Sequence, residues 1–499
     1  MTNPNPLTDN ELKAAAYFAV GVTSEGSIGG RDLAYRLSFA GNVGAGGRME
    51  PVANSGYSFG TLQIDLGQHP DVARDLLDGY QTWAATQPDR ARLELGQEQY
   101  DATLTSLQRT GRQMRAAQAV DIDRSSINRF LASDDGRTFV HGLDTEHVNG
   151  VTATDAVVGN NDKALERLQR TGLYQNANGD DQAKLAGVFM KLQNQAGDGR
   201  WPGLLDRIEA GTLTSPAEVK TAIDGFLPNR PNGDADYLES GADNTLRGIS
   251  VLNALRGASA ENPLSTAWAN VSENPLIGPV AAHQPNAANP NLGFEYDTVR
   301  SMFLNPEQSR RFITALDQGA SLAEGNPARQ ANGSQQPGFY VSGNDFVHWN
   351  RSGHGQAFIG GQWRNIEAED LTRVRNRDGT TELTISENGQ QSVLMRVDPR
   401  TPALRADATS QTENRQAAAA EDRRESSNTT TFENPHLNDM LAAARAGDEA
   451  GGRRAMEELT RSAEGNAFAQ RAAELAASRQ AAEQTLQQQV TNQSGLERG

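Results

Sequence analysis

Residues 56–67 read Gly-Tyr-Ser-Phe-Gly-Thr-Leu-Gln-Ile-Asp-Leu-Gly, a glycine-bounded run in which small and large residues alternate. Glycine admits backbone conformations and close approaches that a Cβ forbids, so a run of this kind brings its backbone close to whatever it faces, as the wall of a groove does. Upstream stands a lone glutamate, Glu25, just past an amphipathic stretch. Thr8-Asp9-Asn10-Glu11 has the form of a capping box, with Leu7 and Leu12 placed as a hydrophobic staple. Leu12, Ala15, Ala16, Ala19 and Val22 then recur at helical spacing. The pattern predicts a helix over 9–24, broken by Gly26, with Glu25 at its carboxyl end.

A carboxyl group at the negative pole of a helix, beside an apolar side chain such as Phe18 or Phe59, is expected to keep its proton more readily than an exposed one. Such a group suits the general-acid step of glycosidic bond cleavage. Three blocks carry a family resemblance: Ser24-Glu25-Gly26-Ser27, Phe59-Gly60-Thr61-Leu62-Gln63-Ile64-Asp65 and Gln193-Asn194-Gln195-Ala196-Gly197. Their order resembles that of goose-type lysozymes and soluble lytic transglycosylases of the glycoside hydrolase family 23 type. Those enzymes have a catalytic Glu, then Gly-Leu-Met-Gln, then Asn-Ala-Gly on a later helix. The chain departs from the family in having Asn-Gln-Ala-Gly in the third block and in its longer gaps, above all between Asp65 and Asn194.

The resemblance implies Glu25 as the acid and Asp65 as the group that orients an attacking water. It implies Tyr57, Ser58, Gln63 and Asn194 as substrate-binding residues, with Asp32 and Glu50 as rival second carboxylates. If Asp65 is instead a structural cap, a single-acid lytic transglycosylase follows, so hydrolysis and transglycosylation both stay open. The substrate implied is peptidoglycan, cut at its MurNAc-GlcNAc bond, with no cofactor and no metal.

Length and composition bound the rest. At 499 residues the chain fits several domains, and with no cysteine it has neither disulfides nor thiolate metal sites. The 46 Lys and Arg against 63 Asp and Glu give a net charge of −17, which disfavours nucleic acid as a partner. No stretch approaches the ~20 apolar residues of a membrane span. The first residues lack the features of a cleaved signal peptide.

The fold class expected is multidomain α+β, with a mainly α lysozyme-like N-terminal domain, a small β-rich module and a helical C-terminal tail. Residues 1–228 form the first of these, with helices over 72–85, 100–119, 126–132, 162–170 and 180–195. Residues 229–337 read as a Pro/Gly/Asn-rich connector with helices, including a pair around Asn305-Pro306. Residues 338–400 change to a strand period, with a hairpin at Arg377-Asp378-Gly379. Residues 401–432 lack apolar periodicity and read as a flexible linker, and 433–499 as a Gln-rich helical tail suited to secretion or docking.

Lesser signals read as structural. His141 and His147 lack the i,i+4 spacing of a helical zinc pair and are taken as surface or loop residues. Asn176-Ala177-Asn178-Gly179-Asp180-Asp181 lacks the closing glutamate of a calcium loop and suits a turn. Trp349, Phe358 and Trp363 suit a β core better than a sugar platform.

Similarity to antibacterial effectors of bacterial type IV secretion systems suggests action in a target cell's periplasm. A periplasmic immunity protein and a component of the secretion machinery are then the expected partners. A phage virion-associated lysozyme and a non-catalytic envelope-binding or scaffolding protein are the rivals.

Overall fold

Thr8 opens the first helix as the capping box requires. Its backbone N–H donates to Glu11 Oε2 at 2.8 Å, and the Glu11 N–H donates to its hydroxyl at 3.2 Å. In the computed structural model the helix is α over Asp9–Ala14 and becomes a π-helix over Ala15–Glu25. The Gly26 N–H closes it on the Gly21 carbonyl, five residues back, at 2.7 Å. The described residues are 5–400, apart from 44–47, 53, 117–121, 154–162, 197–199, 227–236, 330–334 and 388. The expected linker and tail, 401–499, lie outside them.

The π-helix is buried from Ala15 to Thr23 and forms the axis of the largest core. Three helices enclose it: Gly179–Ala196, Tyr237–Arg256 and Leu292–Leu304. Small residues set their spacing. A Cβ at Gly248 would lie 2.7 Å from Ala19 Cα, and one at Gly187 would lie 2.9 Å from Ile249 Cδ1. Polar contacts tie down the last of these helices: Arg300 donates to Asp32 Oδ2 at 2.8 Å and to the Tyr17 hydroxyl at 3.0 Å.

This packing corrects the expected boundary near 228. Leu12, Phe18, Phe189, Ile249 and Phe303 share one core, and residues 1–406 form one compact unit. Two of the prolines that read as part of the connector start helices instead: Pro263 and Pro279 each sit in the first turn, where the missing N–H costs no hydrogen bond. The helix pair at Asn305-Pro306 forms as expected, over Leu292–Leu304 and Pro306–Asp317.

A second core joins Tyr57, Phe59 and Leu66 to the helix Pro70–Thr86 and its neighbours. Here the expected helix over 100–119 divides into Gln97–Leu107 and Gly111–Ala116. A 19-residue helix that the sequence did not reveal runs over Asp134–Thr152.

The β-rich module begins at 321 rather than 338. Its first sheet is an antiparallel meander of Ser321–Glu324, Gly338–Ser342, Asp345–Trp349, His354–Ile359 and Gln362–Glu367, adjacent in that order. Leu371–Arg375, Thr381–Glu387 and Gln390–Val397 form the second. Alternation divides the strand residues between two cores. Phe339, Val341 and Phe346 face the main helical core, while Tyr340, Val347 and Trp349 face the second sheet. Trp349 is fully buried, and Phe358 and Trp363 pack on Phe346, so these aromatics are core.

Candidate functional site

The three blocks singled out in the sequence meet at the end of the π-helix. Gly21 and Gly26 let the residue 60–63 turn lie directly on it: a Cβ at Gly21 would be 2.7 Å from Thr61 Cγ2, and one at Gly26 would be 2.8 Å from the Thr61 carbonyl oxygen. Gly60 takes φ 86° and Gln63 φ 53°, the left-handed region that side chains other than glycine rarely adopt. Gln63 is held there by its own side chain, whose Nε2 donates to the Gly60 carbonyl at 2.9 Å.

From the other side comes the helix Gly179–Ala196. Lys191 and Asn194 stand three residues apart on it and so share a face. Asn194 Nδ2 donates to Glu25 Oε1 at 3.0 Å and approaches the Leu62 carbonyl at 3.4 Å, tying all three blocks together. Lys191 Nζ also donates to Glu25 Oε1. Among the described residues nothing donates to Glu25 Oε2, and the Glu25 side chain keeps 16% of its exposure while Lys191 keeps 1%. Burial pushes the Lys191 ammonium below the usual lysine range, against the opposing pull of the Glu25 charge and hydrogen bond.

The helix Asp134–Thr152 closes the third side. His147 lies on it, within reach of the Asn194 side chain and the Glu25 charge, and burial pushes its imidazole below the ordinary value. This corrects its reading as a surface or loop residue. His141 is on the same helix, with Nε2 at 2.7 Å from the Leu276 carbonyl. One turn before His147, the buried Asp144 accepts from the Thr61 N–H at 2.9 Å and 3.1 Å. Burial raises its carboxyl to about 6, although the Thr61 hydrogen bond and the Arg300 charge pull it down.

The other expected site residues do not join this cluster. Tyr57 is packed in the second core at 4% exposure, with its hydroxyl on Met49 Sδ at 3.4 Å. Ser58 Oγ and Ser38 Oγ both donate to Gln63 Oε1, at 2.9 and 3.0 Å, so Ser58 and Gln63 hold the turn's shape. Asp65 accepts from the Gly56 N–H at 3.0 Å and the Gly67 N–H at 2.8 Å. It braces its own loop rather than capping the next helix, whose N-cap is His69.

Neither rival carboxylate replaces Asp65. Asp32 is committed to Arg300, and Glu50 lies exposed on the strand Met49–Pro51. Asn178 Oδ1 accepts from the Asp181 N–H at 2.9 Å, so the calcium-like stretch starts a helix. Among the described residues no group of three or more His, Asp and Glu side chains gathers as a metal site.

Lys191 and Asp144 were missed, and His147 was weighed only as a surface or loop residue. Lys191 had a signal, since it precedes Asn194 by one helical turn. His147 and Asp144 had none, because their helix carries too few apolar residues for its period to show. No protein-family model, no curated protein and no solved structure matches this chain.

Proposed function

We propose that the chain cleaves peptidoglycan glycan strands at the MurNAc-GlcNAc bond, with Glu25 delivering the proton to the leaving oxygen. The observation that carries this reading is the convergence on Glu25: Asn194 bridges its Oε1 and the Leu62 carbonyl, while Oε2 takes no described donor. A single carboxyl oxygen free to meet a substrate, on a group oriented by two fixed donors, is the arrangement general-acid catalysis needs.

The route proposed is that of a lytic transglycosylase, in which the sugar's own C6 hydroxyl attacks and leaves an anhydro end. Its support is that Asp65 has both oxygens on backbone N–H groups and Asp32 is paired with Arg300, so neither of these two carboxylates is free to activate water. The setting proposed is that of an antibacterial effector in a target cell's envelope, with an immunity protein as partner. Only the composition of 401–499 supports that setting.

One observation favours a second reading. The ion pair with Lys191 occupies Glu25, as suits a domain that keeps a saccharide groove without its chemistry. Digestion of purified peptidoglycan, with mass analysis of the soluble products, separates the two. Anhydro-ended muropeptides support the proposal, and reducing ends replace it with hydrolysis. Protein that pellets with peptidoglycan and releases nothing establishes the non-catalytic reading.

A further inference from the structure

A concavity of about 560 Å³ lies among residues 283–290, the start of the helix Leu292–Leu304 and the strand Gln362–Glu367. It is distinct from the Glu25 site. The charges of Asp134 and Arg137, at the amino end of the helix Asp134–Thr152, act on its His283, whereas the His147 that faces Glu25 lies far along the same helix. At ~1.5 Å of rise per residue, roughly 15 Å or more of helix separates Arg137 from His147.

Its walls are held in place from beneath. The buried Glu295 accepts from Asn289 Nδ2 at 2.7 Å and from Asn270 Nδ2 at 2.9 and 3.0 Å, which pins the 283–290 segment to the helix. Asn286 Oδ1 accepts from the N–H groups of Ala288 and Asn289 at 2.9 and 3.2 Å, so its amide is fixed and its Nδ2 has no described acceptor. A Cβ at Gly293 would lie 2.5 Å from His283 Nδ1, so the glycine lets the imidazole lie on the helix start, where its Nε2 meets Asp297 Oδ2 at 3.1 Å. Phe294 lines the concavity and is backed by Trp363, with ring centroids 6.5 Å apart and planes 12° apart.

The charge on the walls narrows the ligand. Three other concavities carry charged side chains: Glu11 and Arg256 in one, Lys184 and Lys220 in another, Arg170 and Glu209 in a third. Here the walls hold no Asp, Glu, Lys or Arg, and Asp297 answers His283. A strongly ionic ligand would find no counter-charge in such a site, and a purely apolar one would strand its amides.

We infer that this concavity binds a neutral saccharide of one or two rings. The C–H face of the sugar lies on the Phe294 ring, whose π face is electron-rich. Gln284, Asn286 and Asn365 supply the polar side of the site. A primary amide both donates and accepts, as each sugar hydroxyl does, and the side-chain amides of Gln284 and Asn365 have no partner among the described residues. The volume falls within the ~300–1,000 Å³ of small-molecule sites. Nothing in this assignment depends on the chemistry at Glu25.

The test is a ligand-observed NMR titration of the full chain with N,N′-diacetylchitobiose, for wild type, Glu25→Gln, Phe294→Ala, Gln284→Ala and Asn365→Ala. Saturable binding is expected in wild type and in Glu25→Gln, weakened about tenfold by loss of the ring and about threefold or more by loss of either amide. No saturable binding overturns the inference, as does binding that all three wall variants leave at wild-type strength. Displacement of the sugar by sulfate at constant ionic strength would make this an anion site, and displacement by acetyl-trialanine amide a peptide site; either also overturns it. If Phe294→Ala does not fold, Gln284→Ala and Asn365→Ala decide, because both side chains are exposed. Peptidoglycan digestion keeps the two readings apart. Sugar binding here by a chain that releases nothing defeats glycan cleavage alone, and release without binding here defeats only this inference.

Discussion

At the scale of residues, Glu25 and Lys191 stabilise each other at a cost that mutation exposes. Removing one member of a buried ion pair leaves the other uncompensated, typically costing ~3–5 kcal/mol, whereas replacing both with apolar groups is far milder. Glu25→Gln is therefore expected to lower the denaturant midpoint, and Glu25→Gln with Lys191→Met to recover much of the loss. Chemical unfolding of the two variants checks this, and a double variant no more stable than the single one contradicts it. Asp144 gives a pH prediction. Its folded carboxyl is raised from 3.8 to about 6 by burial, so its contribution to stability is fully present below pH 3.8 and is lost as pH rises through 6. At about 1.4 kcal/mol per unit the loss is about 3 kcal/mol. Melting temperature should fall between about pH 4 and 6, and Asp144→Asn, whose amide oxygen still accepts from Thr61, should flatten that fall. Glu25 and Asn194, which the family resemblance implied, are the two expected site residues that the structure brings together. Tyr57, Ser58, Gln63 and Asp65 misled because a side chain that shapes a turn carries the same letters as one that binds a ligand.

At the scale of elements, the glycines that seat the π-helix and its neighbouring helices predict graded effects. Gly248→Ala drives a Cβ to 2.7 Å from the Ala19 Cα, which is backbone and cannot turn away, whereas at Gly187 the nearest atom is the Ile249 Cδ1 at 2.9 Å. Gly248→Ala should cost about 1–3 kcal/mol and Gly187→Ala distinctly less, as unfolding midpoints will show. Gly26→Ala meets the Thr61 carbonyl oxygen at 2.8 Å and pushes the 60–63 turn away from Asn194, while the nearest atom to a Cβ at Gly21 is the Thr61 methyl at 2.7 Å, with backbone oxygens no nearer than 3.4 Å. Activity should therefore suffer more at Gly26 than at Gly21. The sequence located this helix by its cap and its apolar recurrence. It did not reveal the π turn, because apolar recurrence is read at ~3.6 residues per turn and does not report hydrogen bonds that span five residues. The helix starts at Pro263 and Pro279 were hidden for a related reason: proline reads as a break from outside a helix and as a beginning from within it.

At the scale of the whole molecule, the shared core sets what can be removed. A chain ending at 228 loses the helix that Gly248 seats on Ala19 and the Arg300 that pairs with Asp32, leaving the π-helix without two of its walls. It is expected to melt without cooperativity, whereas a chain ending at 400 is expected to fold and to keep its activity on isolated peptidoglycan. Calorimetry of the two decides, and a cooperative transition in the shorter chain would restore a boundary at 228. That boundary looked real because the composition shift after 228 is real, but composition reports local backbone preference, and a core is assembled from segments far apart in sequence. Glycan cleavage as proposed stands on Glu25, and mass analysis of the ends released from purified peptidoglycan by wild type and Glu25→Gln tests it. The expected result is anhydro-ended muropeptides from wild type and a loss of ~100-fold or more in the variant, with its helical circular dichroism unchanged. Equal release by the variant, or none by wild type, would contradict it.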